Sequence, residues 1–369
     1  MKDGKLQIGI IGCGGIARQK HLPSLKKLTE KCELTAFCDI DEERARKAAK
    51  EYGTSGAKVY TDYRELLKED EIDVVHVLTP NVLHAPITIA AFAAGKHVMC
   101  EKPMAHNADD AQKMMDAWKK SGKQFTIGYQ NRFRPEIQML RKMVDHGELG
   151  KIYLGKAHAV RRRAVPTWGV FPDKALQGGG PLIDIGTHAL DITLWMMDNY
   201  EPESVSGSVF FELGRLPQAT EGNIFGPWDP AAFEVEDSAF GFVRLKGGAT
   251  IIIEASWALN VAQSREASTT LCGTLAGAEV YSGMKAGSDG VVINRGHHGM
   301  LTEEHLSETG EVAYFEGGIE APGVMEARQW LDAVLNNTSP LVKPIQAFTV
   351  TKILDAVYRS AESGREVIF

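Results

Sequence analysis

The stretch Gln7–Ala17, reading Q-I-G-I-I-G-C-G-G-I-A, constrains this chain more than any other. A short apolar run leads into Gly12-x-Gly14-x-x-Ala17, and a helix-like segment, Ile16–Leu28, follows. Strand, tight turn and helix in that order make a dinucleotide-binding turn. Gly12 supplies the turn, Gly14 lets the backbone approach a pyrophosphate, and Ala17 lets the helix pack close to the strand with its N-terminus toward the phosphates. Small residues also occur at ordinary strand-to-helix turns, so the motif takes its weight from its surroundings. Asp39 closes the next apolar run, Leu34–Cys38, at the spacing of a carboxylate that meets the adenosine ribose.

The alternation of elements extends this reading. Strands are predicted at Leu6–Ile11, Leu34–Cys38, Lys58–Tyr60, Val74–Leu78, His97–Cys100 and Phe125–Tyr129. Helices are predicted near Asp41–Tyr52, Tyr63–Lys68, His84–Ala94, Ala108–Ser121 and Pro135–Asp145. Continuous apolar strands separated by helices imply a doubly wound parallel sheet, the Rossmann type of α/β fold. Ligands of such sheets sit at the carboxyl ends of the strands. Those ends carry Gly12, Asp39, Thr79-Pro80-Asn81, Glu101-Lys102-Pro103 and Gln130-Asn131-Arg132.

Further along, the runs Ile152–Val160, Ser204–Glu212, Ser238–Leu245, Thr250–Trp257 and Ser268–Cys272 have strand character, and Gly247-Gly248 reads as a hairpin turn. Helices near Pro181–Met197, Val324–Asn336 and Ile345–Ser363 would cover one face of a mostly antiparallel open sheet, an α+β arrangement. At 369 residues the chain is expected to form two domains. We place them at 1–130 and 131–369, with the C-terminal helices able to pack back on the first. Residues Gln218–Pro230 read as a loop insertion without periodicity.

Composition narrows the function classes. A net charge of -7, with no basic stripe beyond Arg161-Arg162-Arg163, argues against a nucleic-acid partner. Five cysteines with no C-x-x-C pair fit a reducing cytoplasm. The apolar run before Cys13 is too short for a secretory leader, and no run of about 18 apolar residues suggests a membrane span. An Asp and a His at helical spacing without a third ligand nearby, and His297-His298 in a Gly-rich loop, do not make a metal site, so none is expected.

Two stretches carry chemistry. Lys102 lies directly after a strand, and a cis Lys102-Pro103 bond would aim its ammonium toward the sheet's ligand edge; a solvated surface lysine is the alternative. The run Gly178-Gly179-Gly180 leads into a helix on which Asp184, His188 and Asp191 share one face while apolar residues occupy the others. Buried carboxylates and imidazoles cost several kcal/mol unless paired or used. Oxidising a secondary alcohol needs one base near neutral pH. His188 is the candidate, with Lys102 orienting the hydroxyl or sharing the proton and Asp184 holding the substrate or the imidazole. Tyr129, Arg132, Arg161–Arg163 and Trp168 are candidates for lining a sugar pocket, or alternatively for packing and solvated surface.

Together the G-x-G-x-x-A turn, Thr79-Pro80-Asn81 with His84 behind it, Glu101-Lys102-Pro103 and Asp184-x-x-x-His188 resemble the Gfo/Idh/MocA family, which includes glucose-fructose oxidoreductase and inositol 2-dehydrogenase. The resemblance spans essentially the whole chain. It implies a Rossmann domain followed by a large, predominantly antiparallel sheet, often used for assembly, and NAD(P)-dependent redox chemistry at a ring carbon of a sugar, sugar derivative or cyclitol. Lys102, Asp184 and His188 match the family's catalytic trio and also its substrate contacts, to which we add Tyr129, Arg132 and Arg163. Gly12, Gly14, Gly15, Ile16, Ala17, Asp39, Arg44, Thr79, Pro80, Asn81, His84, Glu101, Lys102 and Gln130 are the expected cofactor contacts, and Trp168 resembles a family tryptophan near the nicotinamide. Asp39 favours NAD over NADP, because a 2′-phosphate would face a like charge, although Arg44 lies near enough to meet a phosphate. The expected assembly is a homodimer or homotetramer through the C-terminal sheet. Two alternatives remain: an NAD-dependent glycosidase using transient oxidation and elimination, and a non-catalytic NAD-binding sensor.

Overall fold

The computed structural model describes residues 1–281, 290–306 and 320–369. By backbone contacts the chain divides into two units, Met1–Gln130 with Glu320–Phe348, and Asn131–Ile319 with Thr349–Phe369. The first therefore takes in the late helix Pro322–Leu335 as well as the N-terminal residues.

The first unit is built on β1 (Leu6–Ile11), β2 (Cys32–Cys38), β3 (Lys58–Tyr60), β4 (Val74–Val77), β5 (His97–Cys100) and β6 (Phe125–Ile127). They pair in parallel in the order β3-β2-β1-β4-β5-β6. The order reverses between β1 and β4, which opens a crevice at their carboxyl ends. Every residue of β1 is buried, as expected of a strand covered on both faces. Caps fix the helix starts: Asp41 accepts from the backbone of Glu43 and Arg44, and Asn107 from that of Asp110. Trp330 and Leu331 of the late helix join Ile8, Ile10, Leu25, Leu28 and Phe37 in one apolar core.

The second unit carries β7 (Ile152–Val160), β8 (Pro202–Phe210), β9 (Ser238–Leu245), β10 (Thr250–Ser256), β11 (Arg265–Gly273), β12 (Ala276–Tyr281), β13 (Gly290–His297), β14 (Met300–Leu306) and β15 (Val367–Ile368). The sheet order is β14-β13-β12-β11-β7-β10-β9-β8-β15, and all pairings are antiparallel except β7 with β10. Gly247 and Gly248 form the β9–β10 turn, both with positive φ. The helix Thr187–Met197 packs on β7 and β11.

Four strands were not anticipated. β12 is Gly- and Ala-rich, β13 ends in a Gly-His run, β14 is an exposed edge strand dominated by polar residues, and β15 has only two residues. Their pairing partners stabilise them more than their own β-propensity does. Two expected helices also begin irregularly. Ala17–His21 and Leu182–Gly186 are π turns, leading into α-helices at Leu22–Lys26 and Thr187–Met197.

Candidate active site

The glycine turn is assembled by backbone and carboxylate contacts. Gly12 has φ +96°, and a Cβ there would come within 2.5 Å of the Leu78 carbonyl oxygen, so only glycine fits between β1 and β4. Its N–H donates to the Cys38 carbonyl. Asp39 Oδ2 accepts from the Cys13 N–H at 2.8 Å and Oδ1 from the Asp41 N–H at 3.0 Å, so this carboxylate braces the turn. Gly14 and Gly15 face open space, a bare backbone surface of the kind a pyrophosphate needs. Ile16 is exposed and Ala17 buried. Arg44 pairs with Asp41 at 3.0 Å rather than with Asp39. The cradle therefore fits a dinucleotide.

At the next strand ends the side chains bind their own loops. His84 is buried, with ring nitrogens 2.7 Å from the Pro103 carbonyl and 2.9 Å from that of Thr79, which ties the Thr79-Pro80-Asn81 loop to the loop after Lys102. Asn81 opens a short 3-10 turn. The Lys102-Pro103 bond is cis. Glu101 Oε2 accepts from the Lys102 N–H at 3.0 Å, while Oε1 accepts from Lys20 Nζ at 2.6 Å and His21 Nε2 at 2.7 Å. Lys20 also meets Glu326 of the late helix at 2.9 Å, and His76 lies with its Nδ1 3.2 Å from that of His21. Lys102 thus extends from a backbone fixed by a buried ionic cluster. Gln130 closes the unit in a 3-10 turn.

One lysine in that cluster faces two carboxylates. Burial alone would raise Glu101, but Lys20 and His21 outweigh it and hold it well below the usual carboxylate range. Burial pushes Glu326 up to about 7, opposed by Lys20 and reinforced by the Glu101 charge. His21 and His76 are both driven down, mainly by burial. An acid raised from 4.5 to about 7 on folding stabilises fully below its unfolded value and loses that contribution as pH rises through 7. Glu101 acts in the opposite sense, its stabilisation disappearing only as pH falls below the ordinary carboxylate range. Between about pH 5 and 8 the unfolding free energy of the native protein should therefore fall by about 3 kcal/mol relative to a Glu326→Gln variant. Urea titrations across that range check it; parallel pH curves would contradict the assignment.

In the second unit the three glycines precede a crowded helix start. A Cβ on Gly179 would meet the Tyr358 hydroxyl at 2.2 Å, and one on Gly180 the Glu236 carbonyl oxygen at 2.1 Å. Buried Glu236 accepts from the N–H of Gly180 at 2.8 Å, the N–H of Leu182 at 3.3 Å and the Tyr358 hydroxyl at 2.8 Å. This carboxylate caps the helix that carries the candidate trio members, and burial pushes it up to about 6. Asp184, in the π turn, is buried and accepts from Trp257 Nε1 at 3.0 Å. His188 lies one turn further on, half-buried. Glu236, Tyr358 and Trp257 escape sequence reasoning, because nothing local marks a single Glu, Tyr or Trp as the partner of a distant turn.

The other expected ligand contacts divide. Tyr129 and Arg132 are fully buried, and Arg132 grips Asp191 through Nε at 2.8 Å and Nη2 at 2.6 Å, with Trp195 beneath the guanidinium. Burial raises the Asp191 pKa against the opposing pull of Arg132. Asp191 shares the Asp184–His188 helix, yet this pairing makes it a structural anion. Arg161 forms a bidentate pair with Glu266 and feels the Asp184 charge. Arg163 donates to Asn260 Oδ1 and the Arg162 carbonyl. Trp168 is 51% exposed and sits edge-to-face with Phe225 and Phe171.

Residues 6–129 match the model of the oxidoreductase family with an NAD-binding Rossmann fold, and residues 141–369 match that of the same family's C-terminal alpha/beta domain. The chain is 33% identical over 367 residues to a D-glucoside 3-dehydrogenase of Escherichia coli K12, covering 100% of this chain and 98% of the relative. It is 31% identical over 194 residues to an inositol 2-dehydrogenase of Salmonella typhimurium LT2, covering 52% of this chain and 55% of the relative. A levoglucosan dehydrogenase in complex with NADH and levoglucosan superposes with a TM-score of 0.82 at 22% identity, covering 99% of both chains, a likeness of fold.

Proposed function

Because the chain belongs to the Gfo/Idh/MocA oxidoreductase family, we propose that it is an NAD-dependent dehydrogenase oxidising a ring hydroxyl of a glucoside or related pyranose. The observation that carries this reading is the full-length similarity to a D-glucoside 3-dehydrogenase, with Lys102, Asp184 and His188 all present. Cyclitol dehydrogenases match only about half of the chain, which favours a glycoside over a cyclitol.

When bound, NAD supplies the acceptor for the hydride leaving the carbinol carbon, so that an alcohol becomes a ketone. His188 takes the hydroxyl proton as general base. The Lys102 ammonium donates to the same oxygen and stabilises the negative charge that develops there. Asp184, steadied by Trp257, accepts from a neighbouring hydroxyl and fixes the ring. Gly12, Gly14, Gly15, Ile16, Ala17, Asp39, Thr79, Pro80, Asn81 and Gln130 form the nucleotide side of the proposed site, with His84 and Glu101 holding its loops. Tyr129, Arg163 and Trp168 are kept as ligand contacts; Arg132 is not, because its guanidinium is held by Asp191 through two hydrogen bonds.

Asp39 supports NAD over NADP, and Arg44, tied to Asp41, gives a 2′-phosphate no waiting partner. Steady-state oxidation of methyl glucoside should show kcat/KM at least about tenfold higher with NAD than with NADP, the size of one like-charge contact of ~1.4 kcal/mol. Preference for NADP would overturn the role given to Asp39. We also propose a homodimer or homotetramer in the cytoplasm. Exposed Phe210, Phe242 and Ile252 on β8, β9 and β10, with Phe242 directly opposite Ile252, support assembly through the sheet. Five free cysteines support a reducing compartment.

A further inference from the structure

The inserted loop is stiffer than its sequence suggests. Asn223 accepts from the Val165 N–H at 2.9 Å and donates to the carbonyls of Val165 at 3.0 Å and Gly226 at 2.6 Å. Thr167 donates to the Phe225 carbonyl at 2.7 Å. These bonds hold apolar side chains in solvent: Ile224 is 72% exposed, Phe225 39% and Trp168 51%. Single exposed apolar residues need no explanation, but Ile224 and Phe225 of the loop and Trp168 of the segment it is bonded to, with Phe225 against Trp168, form a built surface.

That surface connects to Asp184 through packed rings, the innermost of which, Trp257, is fully buried. Phe225 meets Trp168 edge-to-face at 4.7 Å, Trp168 meets Phe171 at 5.9 Å, and Phe171 meets Trp257 at 6.1 Å. Trp257 in turn donates to Asp184. An aromatic path therefore leads from the carboxylate that we assign to the sugar ring out to the loop. Three side chains offer far less than the ~800 Å² per partner of a stable protein interface, whereas they match one ring of a small ligand.

We propose that Trp168, Ile224 and Phe225 form a subsite for the aglycone of a glycoside, with preference for an aromatic or otherwise apolar substituent. The inference rests on the dehydrogenase reading, because Asp184 is taken to hold the sugar. It gives the insertion a role in choosing substrates, separate from the chemistry.

The test compares methyl and phenyl glucoside, by steady-state turnover with NAD and by calorimetric binding to the full-length protein. The wild type should favour phenyl glucoside by about tenfold in kcat/KM, the worth of one stacked ring. Phe225→Ala should abolish that preference through KM, leaving methyl glucoside unchanged, and Phe225→Tyr should restore it. Equal loss for both glucosides, an unchanged ratio, or a change only in oligomeric state by light scattering would overturn the subsite. Should neither glucoside turn over while phenyl glucoside still binds tighter in a Phe225-dependent way, the subsite stands and the dehydrogenase reading falls. Equal binding of the two glucosides overturns the subsite.

Discussion

Replacing Lys102 by alanine is expected to lower kcat by about 10²–10⁴ while NAD affinity stays nearly unchanged. The backbone at Lys102 is fixed independently of its side chain: Glu101 holds the Lys102 N–H, and Lys20 and His21 hold Glu101. Truncation therefore removes the ammonium and leaves the loop in place. His188→Asn should cost a comparable factor, and the double variant much less than the product of the two, because in the proposed mechanism both groups act on one proton and one developing charge. Stopped-flow turnover and NAD titration by fluorescence separate the outcomes. A variant with unchanged kcat and a raised KM would remove Lys102 from the chemistry and leave it a binding residue.

The largest effect on stability is expected at Arg132. Its guanidinium and Asp191 are both fully buried and joined by two hydrogen bonds, so Arg132→Ala leaves an unpaired carboxylate in the core of the second unit. The cost should be about 3–5 kcal/mol by urea denaturation. Asp191 is already pushed up by burial, so in the variant it should take up a proton, and the loss should be smaller at low pH than at neutral pH. The double variant Arg132→Met/Asp191→Leu should recover most of the stability, since an apolar pair of similar volume needs no desolvation. A loss below about 1 kcal/mol in the single variant would contradict the buried pair.

Legibility in the sequence followed locality. Strands Leu6–Ile11, Lys58–Tyr60, His97–Cys100, Ile152–Val160 and Ser238–Leu245 have the predicted bounds, because an apolar run flanked by turn residues is a local signal. Helix Ala108–Ser121 also agrees to the residue, with its Asn107 cap and Gly122 at φ +66° marking both ends. The π turns were not legible, because apolar spacing over one turn serves an α or a π winding equally well. Lys102, Asp184 and His188 were legible as candidates from motif and patterning. Their supports were not, since Glu326 for Lys20 and Glu236 with Tyr358 for Gly180 arrive from remote segments. Arg132 and Asp191 show the same limit: each was legible as a polar residue near a site, and only the fold joins them.

Net oxidation of a glycoside at a ring carbon is tested by following nicotinamide absorbance and product release together during turnover of phenyl glucoside. One NADH should form for each keto-glucoside, with no free phenol. Free phenol without net NADH would contradict net oxidation and mark the enzyme as a glycosidase working through transient oxidation.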